Sequence, residues 1–256
     1  MSQRRLIALE GQFPAFLAAS IMPVLLMPLA NEVGPFPQPL VAPIVFDLLI
    51  LQSVRTLPVL LPTFRGRCIG ALYQWLGLVT GLLIWVPSLF RGWPSGHLQV
   101  ATLLLVAIFF ITTSVRLVRL LARVPRVNLS VLAGAAGGYV HLGLTGGMVA
   151  TAIEVVHPGS FLLGAVGSHE ALRDRLLYYS FVTVAGLGYG DVLPGNPVGE
   201  RFAILLSVSS TLYISLLVGL LLGRFIAHEA AELEEHWQEH KTLASSPPDR
   251  LPMDDQ

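Results

Sequence analysis

Charge is what this chain has least of: only 12% of its 256 residues are Asp, Glu, Lys or Arg, about half the share usual in a water-soluble domain. Sixteen cationic and sixteen acidic side chains cancel, so there is no basic excess for nucleic acid. Fifteen of the cations are Arg, scattered in short clusters rather than along one face, and nucleic-acid binding is not expected. Cysteine is nearly absent as well. Cys68 stands alone, which excludes an internal disulfide and a Cys-rich zinc cage. The chain also lacks a recognisable nucleophile motif and a phosphate-binding glycine loop. Neither enzymatic activity nor a cofactor is expected.

What fills the space is apolar. Hydrophobic residues make up 54% of the chain and the mean hydropathy is +0.68, the composition of a polytopic membrane protein. A bilayer-crossing helix needs about 20 apolar residues, because every backbone amide must be satisfied inside the hydrocarbon. Uncharged windows of that size occupy residues 11–31, 68–90, 92–115, 127–153 and 202–223, and a sixth apolar stretch, about 39–61, is interrupted by Asp47 and Arg55. Between them lie Gly- and Pro-containing connections such as Val33-Gly34-Pro35-Phe36-Pro37 and Arg91-Gly92-Trp93-Pro94, the punctuation of short interfacial loops. The expected fold is all-α with six transmembrane helices. Three regions follow: 1–126 with four spans and a linker, 127–226 with two spans and the segment between them, and 227–256 with a short acidic helix and a tail.

Orientation follows from arginine placement. With the N-terminus inside, Arg4, Arg5, Arg55, Arg65, Arg67, Arg116, Arg119, Arg123, Arg126, Arg224, Lys241 and Arg250 fall on the inner side, and Arg91, Arg173, Arg175 and Arg201 outside. Both termini are therefore expected in the cytoplasm, in a plasma or bacterial inner membrane. Pro28-Leu29-Ala30 is a poor small-x-small cleavage site, so the first span reads as a retained helix.

Residues 170–194 do not fit a crossing. Their apolar stretch, 176–185, has ten residues, a length at which a re-entrant segment is favoured. It is followed by Gly186-Leu187-Gly188-Tyr189-Gly190-Asp191. Three alternating glycines permit backbone conformations that other residues resist. Non-helical backbone at membrane depth is tolerated where it lines a water-filled path, and several copies around an axis would make rings of carbonyls able to replace a cation's hydration shell.

On these residues the chain resembles the potassium-channel pore family, with Leu187-Gly188-Tyr189-Gly190-Asp191 as the filter, preceded by Tyr178-Tyr179-Ser180-Phe181-Val182-Thr183 and followed by Val192-Leu193-Pro194. The resemblance covers about 170–225. It implies a homotetramer, with potassium as the permeant ion and the lipid bilayer as surroundings. It makes Gly186, Leu187, Gly188 and Tyr189 carbonyl donors, with Gly190 supporting the outermost ring. It gives Asp191 a bracing role, places Tyr178 and Tyr179 in an aromatic cuff, and aligns Thr183 with the family's pore-helix threonine. One departure stands out. Where the family has two threonines before the hydrophobic filter residue, this chain has Ala185 and Gly186, and Gly186 supplies no hydroxyl to the innermost ion site.

In the last span Ser207, Thr211 and Ser215 recur every four residues, a spacing that sets three hydroxyls on one helical face. They are candidates for lining a central cavity, or for bonding to their own or neighbouring helices. Ser210 aligns with the family's mid-helix glycine, while Gly219 and Gly223 lie further inward. In the fifth span, Gly134-xxx-Gly138 and Gly143-xxx-Gly147 read as close packing of the outer helix against the inner one. His141 reads as a structural histidine.

Six spans with a pore loop raise the question of voltage sensing, which needs several arginines within one span. Residues 98–114 contain none. Arg116, Arg119, Arg123 and Arg126, spaced by three, four and three, read instead as one face of an interfacial linker helix. Asp47 needs a partner in the bundle, for which Gln74 is the candidate. In the acidic helix His228, Glu232, His236 and His240 share a face, which reads as solvated rather than metal-binding. The sequence thus points to a potassium-selective channel without a voltage sensor. A weakly selective monovalent cation channel, and a non-conducting subunit with a degenerate pore, remain as alternatives.

Overall fold

The computed structural model describes residues 11–32, 38–57, 64–86, 96–122, 124, 127–164 and 169–245. Five helices come first: α1 Phe13–Glu32, α2 Gln38–Thr56, α3 Phe64–Ile84, α4 Gly96–Leu121 and α5 Leu129–Val156. A two-residue strand β1, Phe161–Leu162, precedes α6, His169–Val184, and a second strand β2, Leu193–Pro194, precedes α7, Pro197–Leu212. The chain then continues through a π-helical stretch, Tyr213–Val218, into α8, Gly219–Ser245. The fold is mostly helical, and the strands form one small antiparallel ribbon with Phe161 opposite Pro194 and Leu162 opposite Leu193.

Two of these helices, Gly96–Leu121 and Leu129–Val156, are long and apolar enough to cross a bilayer, with mean hydropathies of 2.2 and 1.3 over their best windows. Phe13–Leu26 and Cys68–Ile84 are shorter apolar helices. Apolar side chains also point outward: on α3, Leu72, Trp75 and Leu82 are about two-thirds exposed, at 68, 65 and 67%. Such a surface is unfavourable in water and suits hydrocarbon surroundings.

α5 is the spine. It packs against α1, α4 and α6, and glycines set how near each neighbour comes. A Cβ at Gly134 would lie 2.8 Å from the Phe13 ring, and one at Gly137 would lie 3.0 Å from the Leu17 backbone, so both glycines serve α1. Gly138 sits beneath the Tyr213 hydroxyl of the inner helix. Gly143 faces the Phe181 ring, Gly146 faces Ser180, and a Cβ at Gly147 would lie 2.8 Å from the Leu177 Cα. The glycines are used for packing, as their spacing indicates, but most of them receive α1 and α6 rather than the inner helix.

The other helices close on an aromatic centre. Phe110 stacks on the His141 imidazole at 5.0 Å, with Phe16 on another side at 5.7 Å, and all three side chains are fully buried. Phe109 continues the cluster to Tyr73, stacked at 5.3 Å. Arg116 departs from its expected place on an interfacial face. It is buried, its guanidinium lies 4.3 Å from the Tyr73 ring centroid, and Nη2 donates to the Leu57 carbonyl at 3.1 Å. A planar cation can be desolvated when an aromatic face and a carbonyl replace its water, and α4 stays helical long enough to aim it inward. Asp47 meets Trp85 rather than Gln74: the indole Nε1 donates to Oδ2 at 2.6 Å. Arg4, Arg5, Arg91, Arg123, Arg126, Arg250 and the tail after residue 245 lie outside the described residues, as do the side chains of Arg65, Arg67, His228, Glu232, His236 and His240.

The packing of α6 on α5 makes Gly147 intolerant of a methyl group. Gly147→Ala is expected to destabilise the purified protein by about 1–3 kcal/mol through overpacking against backbone. Gly219→Ala, where a Cβ meets nothing within 4 Å, is expected to be neutral or slightly stabilising, as helix propensity favours alanine. Thermal unfolding of both variants in detergent checks the contrast.

Candidate functional site

α6 has 16 residues, about 24 Å of helix at 1.5 Å per residue, too short for a hydrocarbon core of about 30 Å. Leu176, Leu177, Tyr179, Ser180, Val182 and Val184 are buried along it. The Ser180 hydroxyl donates to the Gly143 carbonyl at 2.7 Å, tying the middle of α6 to the spine.

The decisive chemistry is where α6 stops. A helix end leaves four carbonyls without helical partners, and here each is claimed. Ala185 N donates to Phe181 O at 2.9 Å, Gly186 N to Thr183 O at 3.1 Å and Leu187 N to Val182 O at 2.9 Å. The last two bonds, with Gly186 at φ +72°, make a Schellman cap in which Gly186 is the left-handed residue. The fourth carbonyl, that of Val184, accepts from the Tyr139 hydroxyl of α5 at 3.0 Å and from the Ser210 hydroxyl of α7.

Beyond the cap the backbone alternates. Gly186, Gly188 and Gly190 have φ of +72°, +56° and +78°, a region costly for other L-residues, while Leu187 and Tyr189 between them are 56 and 65% exposed. No atom lies within 4 Å of a Cβ built on any of the three glycines. Conformation, rather than space, therefore demands glycine there. The negative end of the α6 dipole abuts this strand, an arrangement that favours a cation.

The strand is anchored beyond Asp191 by the buried Val192 and by the ribbon. Glu154, at the end of α5, accepts from Gly159 N at 2.8 Å and Phe161 N at 2.9 Å. Gly195 N donates to Ser160 O at 2.8 Å, and Asn196 Nδ2 donates to Ser160 Oγ at 3.1 Å. Asn196 also caps α7 by accepting from Val198 N and Gly199 N. Gly199 has no room for a side chain, because a Cβ would run into the Ser160 carbonyl.

Among the residues singled out in the sequence, Gly186 through Asp191 form one continuous exposed, non-helical stretch. Asp191 pairs with Arg175, Nη2 to Oδ2 at 3.7 Å, and the same guanidinium lies 5.9 Å from the Tyr178 ring centroid. Both partners of the pair are substantially exposed, so it contributes at most about 1 kcal/mol. The two tyrosines part company: Tyr178 is exposed beside Arg175, whereas Tyr179 is buried edge-on to Phe161 at 5.2 Å. Adjacent helical residues are about 100° apart, so they face different surroundings. Thr183 Oγ1 bonds back to Tyr179 O at 2.9 Å. Ser207, Thr211 and Ser215 are all exposed, with Thr211 Oγ1 donating to Ser207 O at 3.0 Å. Ser215 lies within the wider, π-helical turn that begins at Tyr213.

Sequence reasoning missed Tyr139, read Arg175 only as a marker of orientation and gave Ser210 no partner. Asn196-Pro197 was a legible signal, a capping residue followed by proline at the first helical position. Residues 168–227 match a family described as an ion channel. No curated protein and no solved structure matches the chain.

Tyr139→Phe and Ser210→Ala each remove one of two donors to the buried Val184 carbonyl, and each is expected to cost about 1 kcal/mol. The double variant is expected to lose more than the sum, since it alone leaves the carbonyl without either side-chain donor. A double-mutant cycle measured by thermal unfolding checks this, and additive losses would contradict the shared acceptor.

Proposed function

We propose, from the premise that residues 168–227 belong to an ion-channel pore family, that this membrane protein is a passive potassium-selective channel built from four copies of the chain. The observation that carries the reading is the strand after α6: left-handed glycines at 186, 188 and 190 alternate with Leu187 and Tyr189 directly beyond the negative end of a helix too short to cross. In a channel this strand is the selectivity filter. Carbonyls of Gly186, Leu187, Gly188 and Tyr189 replace potassium's hydration shell, Gly190 supports the outermost ring, and Arg175 with Asp191 holds the strand from behind.

A single strand cannot surround an ion, and on one chain it is open on its free side. Closed symmetry supplies the other walls. The inner helix supports the same assembly, since α7 leaves Ile204, Leu205, Val208 and Leu212 half or more exposed, an apolar face for neighbouring copies. Ser207, Thr211 and Ser215 then face a central cavity. α1 to α5, together with α7 and its continuation, make six spans in a plasma or bacterial inner membrane, with both termini in the cytoplasm. Among the described residues no element supplies a voltage sensor, and the Arg116 guanidinium is locked on Tyr73 and the Leu57 carbonyl.

A second reading, a channel passing sodium as well, is favoured by one observation. Gly186 sits in a left-handed cap where a hydroxyl-bearing residue is strained, so the innermost ion site lacks a side-chain oxygen at that position.

The test is the reversal potential of the purified chain in a planar bilayer with potassium on one side and sodium on the other. A large shift toward the potassium equilibrium potential is expected, and Gly188→Ala is expected to abolish the current. Reversal near zero with robust current would establish the weakly selective reading. An absence of current across voltage and pH would point to a non-conducting subunit.

A further inference from the structure

Away from the filter strand, a cavity of about 590 Å³ lies between α4, α5 and the inner helix where α7 passes into its π-helical stretch. It is within the range that holds a drug-sized or larger ligand. Its walls are apolar: Leu117 and Val118 from α4, Leu142 from α5, and Leu212 from α7. The polar groups that reach it are largely committed elsewhere. The Ser114 hydroxyl bonds to Thr145 Oγ1 at 3.1 Å, and the Tyr213 hydroxyl donates to Ala135 O at 2.7 Å. Water gains little in such a space, because it needs several polar partners.

Ser209 adds a hydroxyl to the lining, and its one charged residue is Arg119. It lines the cavity from the last turn of α4 and makes no ion pair among the described residues. α4 has 26 residues, about 39 Å of helix, which exceeds a hydrocarbon core of about 30 Å and brings its last turn to headgroup depth. Val115, on the cavity's rim, is 42% exposed, so the space opens sideways toward the bilayer. An apolar chamber with one cation at headgroup depth is complementary to an amphiphile with a single anionic head.

We infer that this cavity is a binding site for an anionic phospholipid of the surrounding membrane, with an acyl chain between α4, α5 and α7 and its phosphate on Arg119. The guanidinium offers a planar fork of donors matched to phosphate oxygens. The occupant lies against Tyr213, whose hydroxyl anchors the inner helix to α5, so the site adjoins the place where that helix changes its winding. Binding is a property separate from conduction and is measured separately.

The experiment reconstitutes the full chain into vesicles of equal parts phosphatidylcholine and phosphatidylglycerol, extracts it mildly, and counts retained lipids by native mass spectrometry. Wild type is expected to retain phosphatidylglycerol over phosphatidylcholine by about tenfold, the worth of one charge-assisted contact. Arg119→Lys is expected to keep most of that preference and Arg119→Gln to bring the ratio close to one. Val118→Trp, which fills the chamber, is expected to lower retention of both lipids. Only variants eluting as wild type on gel filtration are compared, and the Lys and Gln pair alone decides the matter if the Trp variant does not fold. An undiminished preference in Arg119→Gln would overturn the inference. So would retention of free fatty acid in place of phospholipid, or cross-linking of Val118→Cys to a second copy in a Cys68→Ser background, which would assign the cavity to a neighbouring chain.

Discussion

The carbonyl of Val184 is the point on which the remainder of the site depends. A backbone leaving helical structure in apolar surroundings must bring its own hydrogen-bond partners, since the solvent offers none. At the end of α6 that requirement is met twice. The chain folds back on its own last turn through Ala185, Gly186 and Leu187, and the one remaining carbonyl takes hydroxyls from two other helices, Tyr139 of α5 and Ser210 of α7. A movement of either helix relative to α6 therefore exposes a buried acceptor. The start of the glycine strand is held by the same bonds, so its position relative to outer and inner helices is set by hydrogen-bond accounting rather than by shape alone.

Close packing supplies the rest of the rigidity. Between helices in lipid there is little hydrophobic drive, because the surrounding medium is as apolar as the contacts replacing it, and association depends on van der Waals contact at short range. The glycines of α5 provide that range. Those at 143, 146 and 147 receive Phe181, Ser180 and Leu177 of α6, and those at 134 and 137 receive α1. Two charged groups drawn into the N-terminal helices are answered locally: Arg116 by Tyr73 and Leu57, Asp47 by Trp85. α5 thereby joins the N-terminal bundle to α6 and the glycine segment after it through two sets of glycines, less than three helical turns apart, on one continuous element.

The class of the fold and the outline of the site were legible because they rest on local signals. Uncharged windows of helical length, a ten-residue half-span and a Gly-x-Gly-x-Gly run need no tertiary knowledge, and the glycine pairs of the fifth span announce close approach. What was illegible is pairwise and long-range. Nothing at Tyr139 or Ser210 marks them as donors to one carbonyl 45 and 26 residues away. The three-four-three spacing of the arginines after residue 115 fits an interfacial face equally well. Only the placement of Tyr73 beneath α4 turns Arg116 inward. Tyr178 and Tyr179 looked equivalent in sequence, but one residue of helical rotation puts the first beside Arg175 and the second against Phe161.

Gly186 ties these themes together. Compared with the potassium-channel pattern it resembles, the chain has lost a hydroxyl there, which reads in sequence as a damaged innermost ion site. The structure gives the glycine a positive task. It is the left-handed residue of the cap that ends α6, with its amide on Thr183 O and the next amide on Val182 O. A β-branched threonine is poorly suited to that conformation, at a cost of about 1–2 kcal/mol. The absence of the hydroxyl is thus coupled to how the helix terminates, and restoring threonine at 186 would have to undo the cap before it could offer an oxygen to an ion. Helix termination and strand geometry are here one structural decision, made at a single residue.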